Sequence, residues 1–461
     1  AEMTAAQSAA LSASAAAQAD AVMARAAARN GAAAVATASA GQSIDSNQHG
    51  SSGNWIWSNN GEKLEVTYSG TFEFTDDDAD VRSMSPGGLL RISDGAWFGR
   101  HSVEIREHAG QIERRYYVNG VERPFDPEGR QWLQDNLPKF VRNTAIDAPA
   151  RVARLLKRGG VPAVLDEITN VDGTYVKGIY YRELFKQASL TPEQYRQAMV
   201  QAGREMRGSD YALTELLIAV ADKLPADQPS REAYFSAASG LSSAYEIRRV
   251  YTEMLKRGPV RSETLAAILD HVDTIRSDYD RSELLRAILA EQSLDDRTRP
   301  LFFKAAAGIR GDYERHRVLG AALKKSSDPA TLQAAFAGAA QMSGDYDKST
   351  LLQEVLKTTG VEGSQRAPFF TAVNSLKGSY ERGRVLQAVV GRPDASTETL
   401  RDVLDSAKTM SGYDLSQLLI AVANAHAMTG SLRDAFLEDA NRLSGYDQGQ
   451  VMTALVRSER R

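Results

Sequence analysis

The stretches IRSDYDRSELLRAIL at 275–289 and IRGDYERHRVLGAAL at 309–323 share one pattern, in which a tyrosine precedes an apolar pair. The tyrosine returns every 33 to 36 residues, at Tyr175, Tyr211, Tyr245, Tyr279, Tyr313, Tyr346, Tyr380, Tyr413 and Tyr446. A period of this length is typical of stacked supersecondary units, each too small to bury its apolar face alone. The sequence therefore predicts a repeat protein over most of its length.

Each repeat carries the start signals of two helices. An acidic residue usually follows the tyrosine, which suits the first turn of a helix. A second start, such as SETL at 262–265 or STETL at 396–400, lies about halfway through the repeat. We therefore predict an αα solenoid of about nine units over residues 171–461. Its period is like that of tetratricopeptide repeats, but their Trp-x-x-Leu-Gly-x-x-Tyr pattern is absent from the sequence.

The region before the repeats has a different periodicity. Short runs such as KLEVTYSG at 63–70 and HSVEIREH at 101–108 alternate in part between apolar and polar residues, as strands do. Asn-Gly pairs at 60–61 and 119–120 are hairpin signals, because both positions tolerate a positive φ. The sequence predicts about six strands in a small antiparallel β domain over 54–126, then a helical junction over 127–170. The predicted fold class is α+β, mostly α.

The first 53 residues are rich in alanine and serine and poor in large apolar residues. We expect a disordered or transiently helical tether over 1–53, because a helix there has too little apolar surface to be held in place. Such segments often follow a signal peptide or a membrane anchor. The composition thus favours a chain that is tethered to, or exported across, a membrane.

The bulk composition narrows the classes of partner. The chain has 461 residues, a net charge of −4 and no cysteine. This balance lacks the basic surplus typical of nucleic-acid binding, and disulfides and thiolate metal sites are excluded. We expect a protein or peptide partner, no nucleic acid and no cofactor, with membrane contact only through a segment outside this chain.

Several stretches resemble a known bacterial family. They are TFEFTDDDADVRSMSPGGLLRISDG at 71–95, IERRYYVNGVERPFDPEGRQWLQDNLPKFVRNT at 112–144, GVPAVLDEI at 160–168 and repeats of the type GDYERHRVL at 311–319. Together they are similar to the extracytoplasmic region of some relatives of the BlaR/MecR-type membrane metallopeptidases and of kindred bacterial proteins. The resemblance runs from residue 54 to the C-terminus. It implies a periplasmic sensing or interaction module attached to a membrane protein.

The peptidase activity of that family does not carry over to this sequence. A zincin needs His-Glu-x-x-His on one helix, and the sequence contains no such pair. Nor does it contain a Ser-x-x-Lys serine with its companion motifs. We favour a non-enzymatic extracytoplasmic interaction or sensor module. One alternative is a carbohydrate- or peptide-binding protein, or an enzyme, with its site between the β domain and the first repeats. Another is a cytoplasmic assembly scaffold.

Two groups of residues are candidates for binding. Stacked repeats would align a cationic ladder that could bind acidic peptides, although a solvated face neutralised by nearby acids would look the same. Tryptophans of the β domain could stack on a sugar or simply form a core. The ladder is Arg281, Arg315, Arg317, Lys348, Arg382 and Arg384, and the tryptophans are Trp55, Trp57 and Trp97.

Two further features have competing interpretations. We expect each repeat tyrosine to pack between adjacent units, so that losing a central ring such as Tyr313 would cost about 3–5 kcal/mol. The alternative is that the tyrosines line a ligand surface. We expect no metal site, although the acidic turn with Asp76, Asp78 and Asp80 could hold a calcium ion. That turn fails the EF-hand spacing, and the alternative is a solvated hairpin turn.

Overall fold

The fold class predicted from the sequence is confirmed. The computed structural model describes residues 43–45, 52–59, 62–94, 99–358 and 360–459. Over these residues the chain is α+β and mostly α, with a small antiparallel sheet region followed by helices in a repeated arrangement. The chain divides into an N-terminal unit, Ala1–Leu241, and a C-terminal unit, Ser242–Arg461. Of the tether predicted over 1–53, residues 1–42 and 46–51 lie outside the described residues.

The N-terminal unit begins with β structure. The sequence predicted about six strands, and the described residues contain nine. Four of the nine are only three or four residues long, which is too short for a clear alternating pattern. A seven-stranded antiparallel sheet has the order β1-β2-β3-β6-β7-β8-β9, and β4 and β5 form a separate hairpin. The strands are β1 Ser43–Asp45, β2 Ser52–Asn59, β3 Glu62–Ser69, β4 Phe72–Phe74, β5 Val81–Met84, β6 Leu89–Asp94, β7 His101–His108, β8 Gln111–Val118 and β9 Val121–Arg123.

Turn chemistry and pairing explain the limits of the sheet. Asn119 and Gly120 both have a positive φ, as a tight hairpin between β8 and β9 requires. The short strand β1 lies inside the predicted tether and pairs antiparallel with β2, so that Ile44 is opposite Trp55. The tether as predicted therefore includes the edge of the sheet.

Two helices join the sheet to the repeats. Helix α1, Arg130–Thr144, packs on the sheet, and its buried side chains Leu133, Leu137 and Phe140 share one apolar core with the inward residues of the strands. Helix α2, Ala148–Thr169, is kinked at Gly159 and Gly160, where the backbone leaves helical geometry. The acidic turn between β4 and β5 meets α2, as described below.

The remaining helices follow the predicted unit of helix, turn, helix. In the N-terminal unit they are α3 Thr174–Gln187, α4 Pro192–Glu205, α5 Asp210–Val220 and α6 Gln228–Ala238. In the C-terminal unit they are α7 Ala244–Leu255, α8 Ser262–Val272, α9 Asp278–Glu291, α10 Thr298–Ala307, α11 Asp312–Lys325, α12 Pro329–Ala340, α13 Asp345–Thr358, α14 Arg366–Asn374, α15 Ser379–Val390, α16 Thr397–Ala407, α17 Gly412–Ala425, α18 Gly430–Ala440 and α19 Gly445–Ser458.

Within the C-terminal unit the repeats stack in two layers. The first helix of each repeat packs on the first helix of the next, and the second helices pack on one another in the same way. The apolar pair that follows each tyrosine by five and six residues lies in the core between these layers. The buried pairs here are Leu284 and Leu285, Val318 and Leu319, Leu351 and Leu352, Val385 and Leu386, and Leu418 and Leu419.

Candidate functional site

The repeat tyrosines lie at helix starts, and most are exposed. Each is the second residue of the first helix of its repeat. Helical Cα–Cβ bonds tilt toward the N-terminus, and there is no earlier turn to cover the ring. The exposed rings are Tyr211 at 37%, Tyr245 at 37%, Tyr313 at 56%, Tyr346 at 56%, Tyr380 at 64%, Tyr413 at 69% and Tyr446 at 79%. The expectation that these rings pack between neighbouring units is wrong for the five that are more than half exposed.

Helical phase explains why the rings face outward. Residues are about 100° apart around a helix axis, so the buried pair lies roughly 140° and 240° from the tyrosine. Tyr313 is thus on the side of α11 opposite Val318 and Leu319. The tyrosine marks the repeat because it opens each first helix, and its ring is presented on the surface.

We call the seven repeat tyrosines of the C-terminal unit the tyrosine row. They are Tyr245, Tyr279, Tyr313, Tyr346, Tyr380, Tyr413 and Tyr446. Tyr279 is half-buried, and the other six are exposed. Exposed large apolar or aromatic side chains in a regular series are typical of an interaction surface, whereas scattered ones need no explanation.

An aspartate clamp aligns neighbouring helix starts in the row. Asp278, which precedes Tyr279, accepts hydrogen bonds through Oδ2 from the backbone N–H groups of Arg310 and Gly311, at 3.2 and 2.8 Å. Those groups belong to the turn just before Tyr313. Because a charged acceptor satisfies two amides at a helix N-terminus, the contact also suits the helix dipole.

The same clamp recurs in the next two repeats. Asp312 Oδ2 accepts from the amides of Ser343 and Gly344 at 3.0 and 2.5 Å. Asp345 Oδ2 accepts from the amides that precede Tyr380, those of Lys377 at 2.8 Å and Gly378 at 2.6 Å. The helix starts that carry Tyr279, Tyr313, Tyr346 and Tyr380 therefore lie side by side along one edge.

Arginines lie over several rings of the row. The Arg248 guanidinium carbon is 5.3 Å from the ring centroid of Tyr245 and 5.6 Å from that of Tyr279, so it bridges two repeats. Arg317 lies 5.8 Å from the ring of Tyr313, and Arg384 lies 6.0 Å from that of Tyr380. These distances are within the range of cation–π attraction. The arginines are also ion-paired, Arg248 with Asp280 at 2.7 Å, Arg317 with Glu314 at 2.8 Å, and Arg384 with Glu381 at 2.9 Å.

The predicted cationic ladder separates into two sets. Arg317 and Arg384 are four residues after their tyrosines, on the exposed side of the helix. The other four follow the tyrosine by two residues, about 200° around the helix, and are buried. Their exposed fractions are 6% for Arg281, 8% for Arg315, 2% for Lys348 and 7% for Arg382. The structure thus places these four inside the fold and not on a common exposed face.

The buried cations donate hydrogen bonds to carbonyl groups at the C-termini of helices. Arg315 donates from Nε to the Ile309 carbonyl at 3.0 Å and from Nη2 to the Ala307 carbonyl at 3.0 Å, at the end of α10. Lys348 Nζ donates to the carbonyl and the hydroxyl of Ser375 at 3.0 and 2.9 Å. Burial lowers the pKa of Lys348. Cations are favourable at the negative end of a helix dipole, so these groups have a structural role.

The aspartates of the acidic turn in the β domain form ion pairs with arginines. Asp78 is 6% exposed, and its two carboxylate oxygens accept from Arg151 Nε at 2.5 Å and Arg154 Nη2 at 2.6 Å. Asp76 pairs with Arg82, and Asp80 pairs with Arg114. Each carboxylate of the calcium candidate, Asp76, Asp78 and Asp80, is thus ion-paired with a guanidinium. Among the described residues no group of three or more His, Cys, Asp or Glu is placed to hold a metal ion.

Sequence reasoning missed the buried network around Arg151. Arg151 is 3% exposed and also donates to Tyr180 Oη at 3.0 Å and Glu167 Oε1 at 2.8 Å. Burial alone would lower the pKa of Arg151, but Tyr180 and the carboxylates of Asp78 and Glu167 raise it above its ordinary value. The network fixes the acidic turn on α2. The partners of Arg151 are 16 to 73 residues away from it in sequence. No local sequence motif could therefore predict the network.

The tryptophan candidates are only partly described. Trp55 is 1% exposed, in the core beneath α1, with its ring 5.5 Å from that of Phe140. Nothing can be stacked on it from outside. The side chain of Trp57 and the whole of Trp97 lie outside the described residues.

A cavity of about 310 Å³ lies in the N-terminal unit. It is lined by Phe185, Ala188, Ser189, Leu190, Tyr195 and Lys223. The ring of Tyr195 is buried edge-on against Phe185, and its hydroxyl has no hydrogen-bond partner among the described residues. Burial raises the pKa of Tyr195, so the hydroxyl keeps its proton. Lys223 Nζ donates to the Phe185 carbonyl at the same cavity.

The fold and the tyrosine row together define the class of the protein. It is an αα-repeat protein with a β domain and an exposed row of aromatic side chains. No protein-family model matches the sequence, and a search of curated proteins finds no similar sequence. Across the part of the chain that the structure describes, no helix combines the length and apolarity needed to span a bilayer.

Proposed function

We propose that the chain is a non-enzymatic, extracytoplasmic protein-interaction or sensor module that is tethered to, or exported across, a bacterial membrane. The observation that supports this most is the tyrosine row, with six exposed rings on one edge of the C-terminal unit. Tyrosine and arginine are enriched at protein interfaces, and tyrosine gives a large contact area at a low entropic cost. The partner is a protein or peptide. The extracytoplasmic location rests on the resemblance carried by residues 54–461.

The contacts inside the row support a preformed surface. The aspartate clamps fix the positions of the helix starts. Arginines such as Arg317 lie over the rings in cation–π contact and are themselves held by an ion pair with a nearby acid. Binding then needs little ordering of the protein, which lowers the entropic cost of association.

A peptide display experiment tests this function. Random peptides are selected on the parent protein and then titrated against a triple variant with Tyr313, Tyr346 and Tyr380 changed to Ser. The selected peptides should bind the triple variant at least about tenfold more weakly. The matched control is Val200→Ser, which removes an exposed apolar side chain from the N-terminal unit and should leave binding unchanged.

The opposite result would count against the proposal. If selection yields no binders, or if every binder tolerates the triple variant, the tyrosine row is not an interaction surface. Circular dichroism melting of the variants keeps the result interpretable, since exposed rings should be lost without unfolding.

The cavity favours a second function, binding of a small acidic molecule by the N-terminal unit. Lys223 and Tyr195 both line the cavity, where the ammonium has donors beyond its bond to the Phe185 carbonyl and the buried Tyr195 hydroxyl has no partner among the described residues. The test is a thermal-shift screen of small carboxylic acids on the parent, Tyr195→Phe and Lys223→Met. Stabilisation by an acid should be lost in both variants and kept in Lys186→Met, whose exposed ammonium is not among the cavity-lining groups. Equal shifts in all four proteins would reject this function.

A further inference from the structure

The spacing of the tyrosine row limits what can lie along it. Successive first helices are in contact in the C-terminal unit, and packed helices have axes about 8–10 Å apart. Since each helix presents its tyrosine at the same position, neighbouring rings repeat at about that distance. A polyproline II helix has three residues per turn and rises about 3.1 Å per residue, so its turn is about 9 Å long. One turn of such a ligand therefore matches one repeat of the protein.

The chemistry of the row suits an uncharged ligand of this kind. The arginines over the rings are occupied by acids of the same chain, at 2.7 Å for Arg248 and Asp280 and at 2.9 Å for Arg384 and Glu381. A strongly acidic or basic peptide would have to break these pairs. Aromatic faces and phenolic donors remain on the surface, at rings such as Tyr346 and Tyr413.

Proline-rich segments match these groups. The polyproline II backbone makes no internal hydrogen bonds, so its carbonyl oxygens can accept from tyrosine hydroxyls. Its pyrrolidine rings pack on aromatic side chains, and the conformation is already formed before binding. No conformational change of the clamped helix starts is needed.

We propose that the tyrosine row binds a proline-rich segment in the polyproline II conformation, with a proline at every third residue against successive tyrosines. This deepens the proposed function and rests on it. The ligand lies across the helix starts, and each added triplet engages one more ring. Extended peptides without this period, and sugar chains, which also stack on aromatic rings, are the competing occupants.

The test is a fluorescence anisotropy titration with labelled peptides. One series carries a proline at every third position and is lengthened triplet by triplet to about 15 residues. Its control is a peptide of the same length with a proline at every fourth position. The period-three peptide of full length should bind at least about tenfold more tightly than the control, and its affinity should rise with each triplet.

Protein variants complete the test. Changing Tyr313, Tyr346 and Tyr380 to Ala should abolish the preference for the period of three, whereas changing them to Phe should weaken binding only several-fold, since the rings remain. Val200→Ser should change nothing. Circular dichroism of each variant shows that it is folded.

The outcomes separate the two proposals. If period-three and period-four peptides bind alike, or neither binds, while displayed peptides still require the tyrosines, the inference is wrong and the interaction function stands. If a β-linked oligosaccharide binds in a tyrosine-dependent way and the peptides do not, the ligand class is wrong. If no ligand depends on the tyrosines, both proposals fail.

Discussion

The acidic turn of the N-terminal unit buries charged side chains, whereas the tyrosine row of the C-terminal unit exposes aromatic ones. Both arrangements are the opposite of the usual distribution. Asp78 and Arg151 are 6% and 3% exposed, whereas Tyr313 is 56% exposed. Charges are seldom buried unless paired, and aromatic rings usually contribute to the core. In both regions the position of a side chain on its element, and the partners it finds there, decide its exposure.

The two regions also differ in what a mutation should do. The buried charges hold the fold together, so their loss should appear in stability. The exposed rings contribute little to the core, so their loss should appear in binding. Paired substitutions, each with an exposed counterpart of the same residue type, test this difference.

The largest effect is expected at the acidic turn. Asp78→Ala removes the carboxylate that pairs with Arg151 at 2.5 Å and Arg154 at 2.6 Å, and leaves buried cations short of a partner. Removing one member of a buried ion pair costs about 3–5 kcal/mol. Urea unfolding followed by circular dichroism should show this loss in the free energy of unfolding.

The control for that measurement is Asp76→Ala, two residues away. The Asp76 carboxylate is 73% exposed and pairs with the exposed Arg82. Its loss should leave the urea midpoint unchanged. Equal midpoints for Asp78→Ala and Asp76→Ala would show that the buried network does not stabilise the N-terminal unit.

An intermediate effect is expected within one repeat, at two arginines that are two residues apart. Arg315→Met removes the donors that hold the Ile309 and Ala307 carbonyls at the end of α10. A hydrogen bond to a charged group contributes about 1.5–3 kcal/mol, and two bonds made by one guanidinium are not additive, so a loss of about 2–3 kcal/mol is expected. Arg317→Met breaks two half-buried ion pairs, with Glu314 at 2.8 Å and Glu283 at 2.6 Å, but leaves no backbone carbonyl unpaired, so it should cost less than Arg315→Met. If Arg317→Met is as destabilising as Arg315→Met, the assignment of the two helix faces is wrong.

A smaller effect should depend on pH. Asp328 caps α12 by accepting from the amides of Ala330 and Thr331 at 3.1 and 3.0 Å. Burial raises its pKa, but hydrogen bonds from Ser326 and Thr331 outweigh burial and lower the pKa from 3.8 to about 2. The carboxylate therefore contributes stability above about pH 4, which is lost as the pH falls toward 2.

Comparison of the parent with Asp328→Ala measures that contribution. The variant should be less stable by about 1 kcal/mol at pH 7, as is usual for loss of an N-cap. The difference should shrink between pH 4 and pH 2 in urea unfolding. Asp296→Ala, at a fully exposed carboxylate, serves as the control. A difference that stays constant down to pH 2 would contradict the assigned pKa.

The sequence predicted the architecture because the period and the apolar pairs are local signals. The pair Leu284 and Leu285, for example, is buried as its spacing requires. The Asn119-Gly120 hairpin was predicted for the same reason, since two backbone conformations are encoded in two residues.

The candidate site was less predictable. The tyrosines were expected inside because a recurring aromatic usually packs, although the helical phase relative to Val318 and Leu319 already puts Tyr313 on the other side of α11. The clamp by Asp278 on Gly311 could have been suspected from the recurring Asp-Tyr pairs. Contacts such as Asp78 with Arg151 join residues 73 apart and depend on the packed tertiary structure.

The smallest stability effect tests the central claim, that the tyrosine row is a surface and not part of the packing. The measurement is the free energy of unfolding of Tyr313→Ala in urea beside the parent. Since the ring is 56% exposed and the Arg317 guanidinium lies over it at 5.8 Å, the expected loss is below about 1 kcal/mol. A loss of about 3 kcal/mol or more is in the range expected for a buried aromatic ring. That result would contradict the central claim and show that the ring is part of the packing.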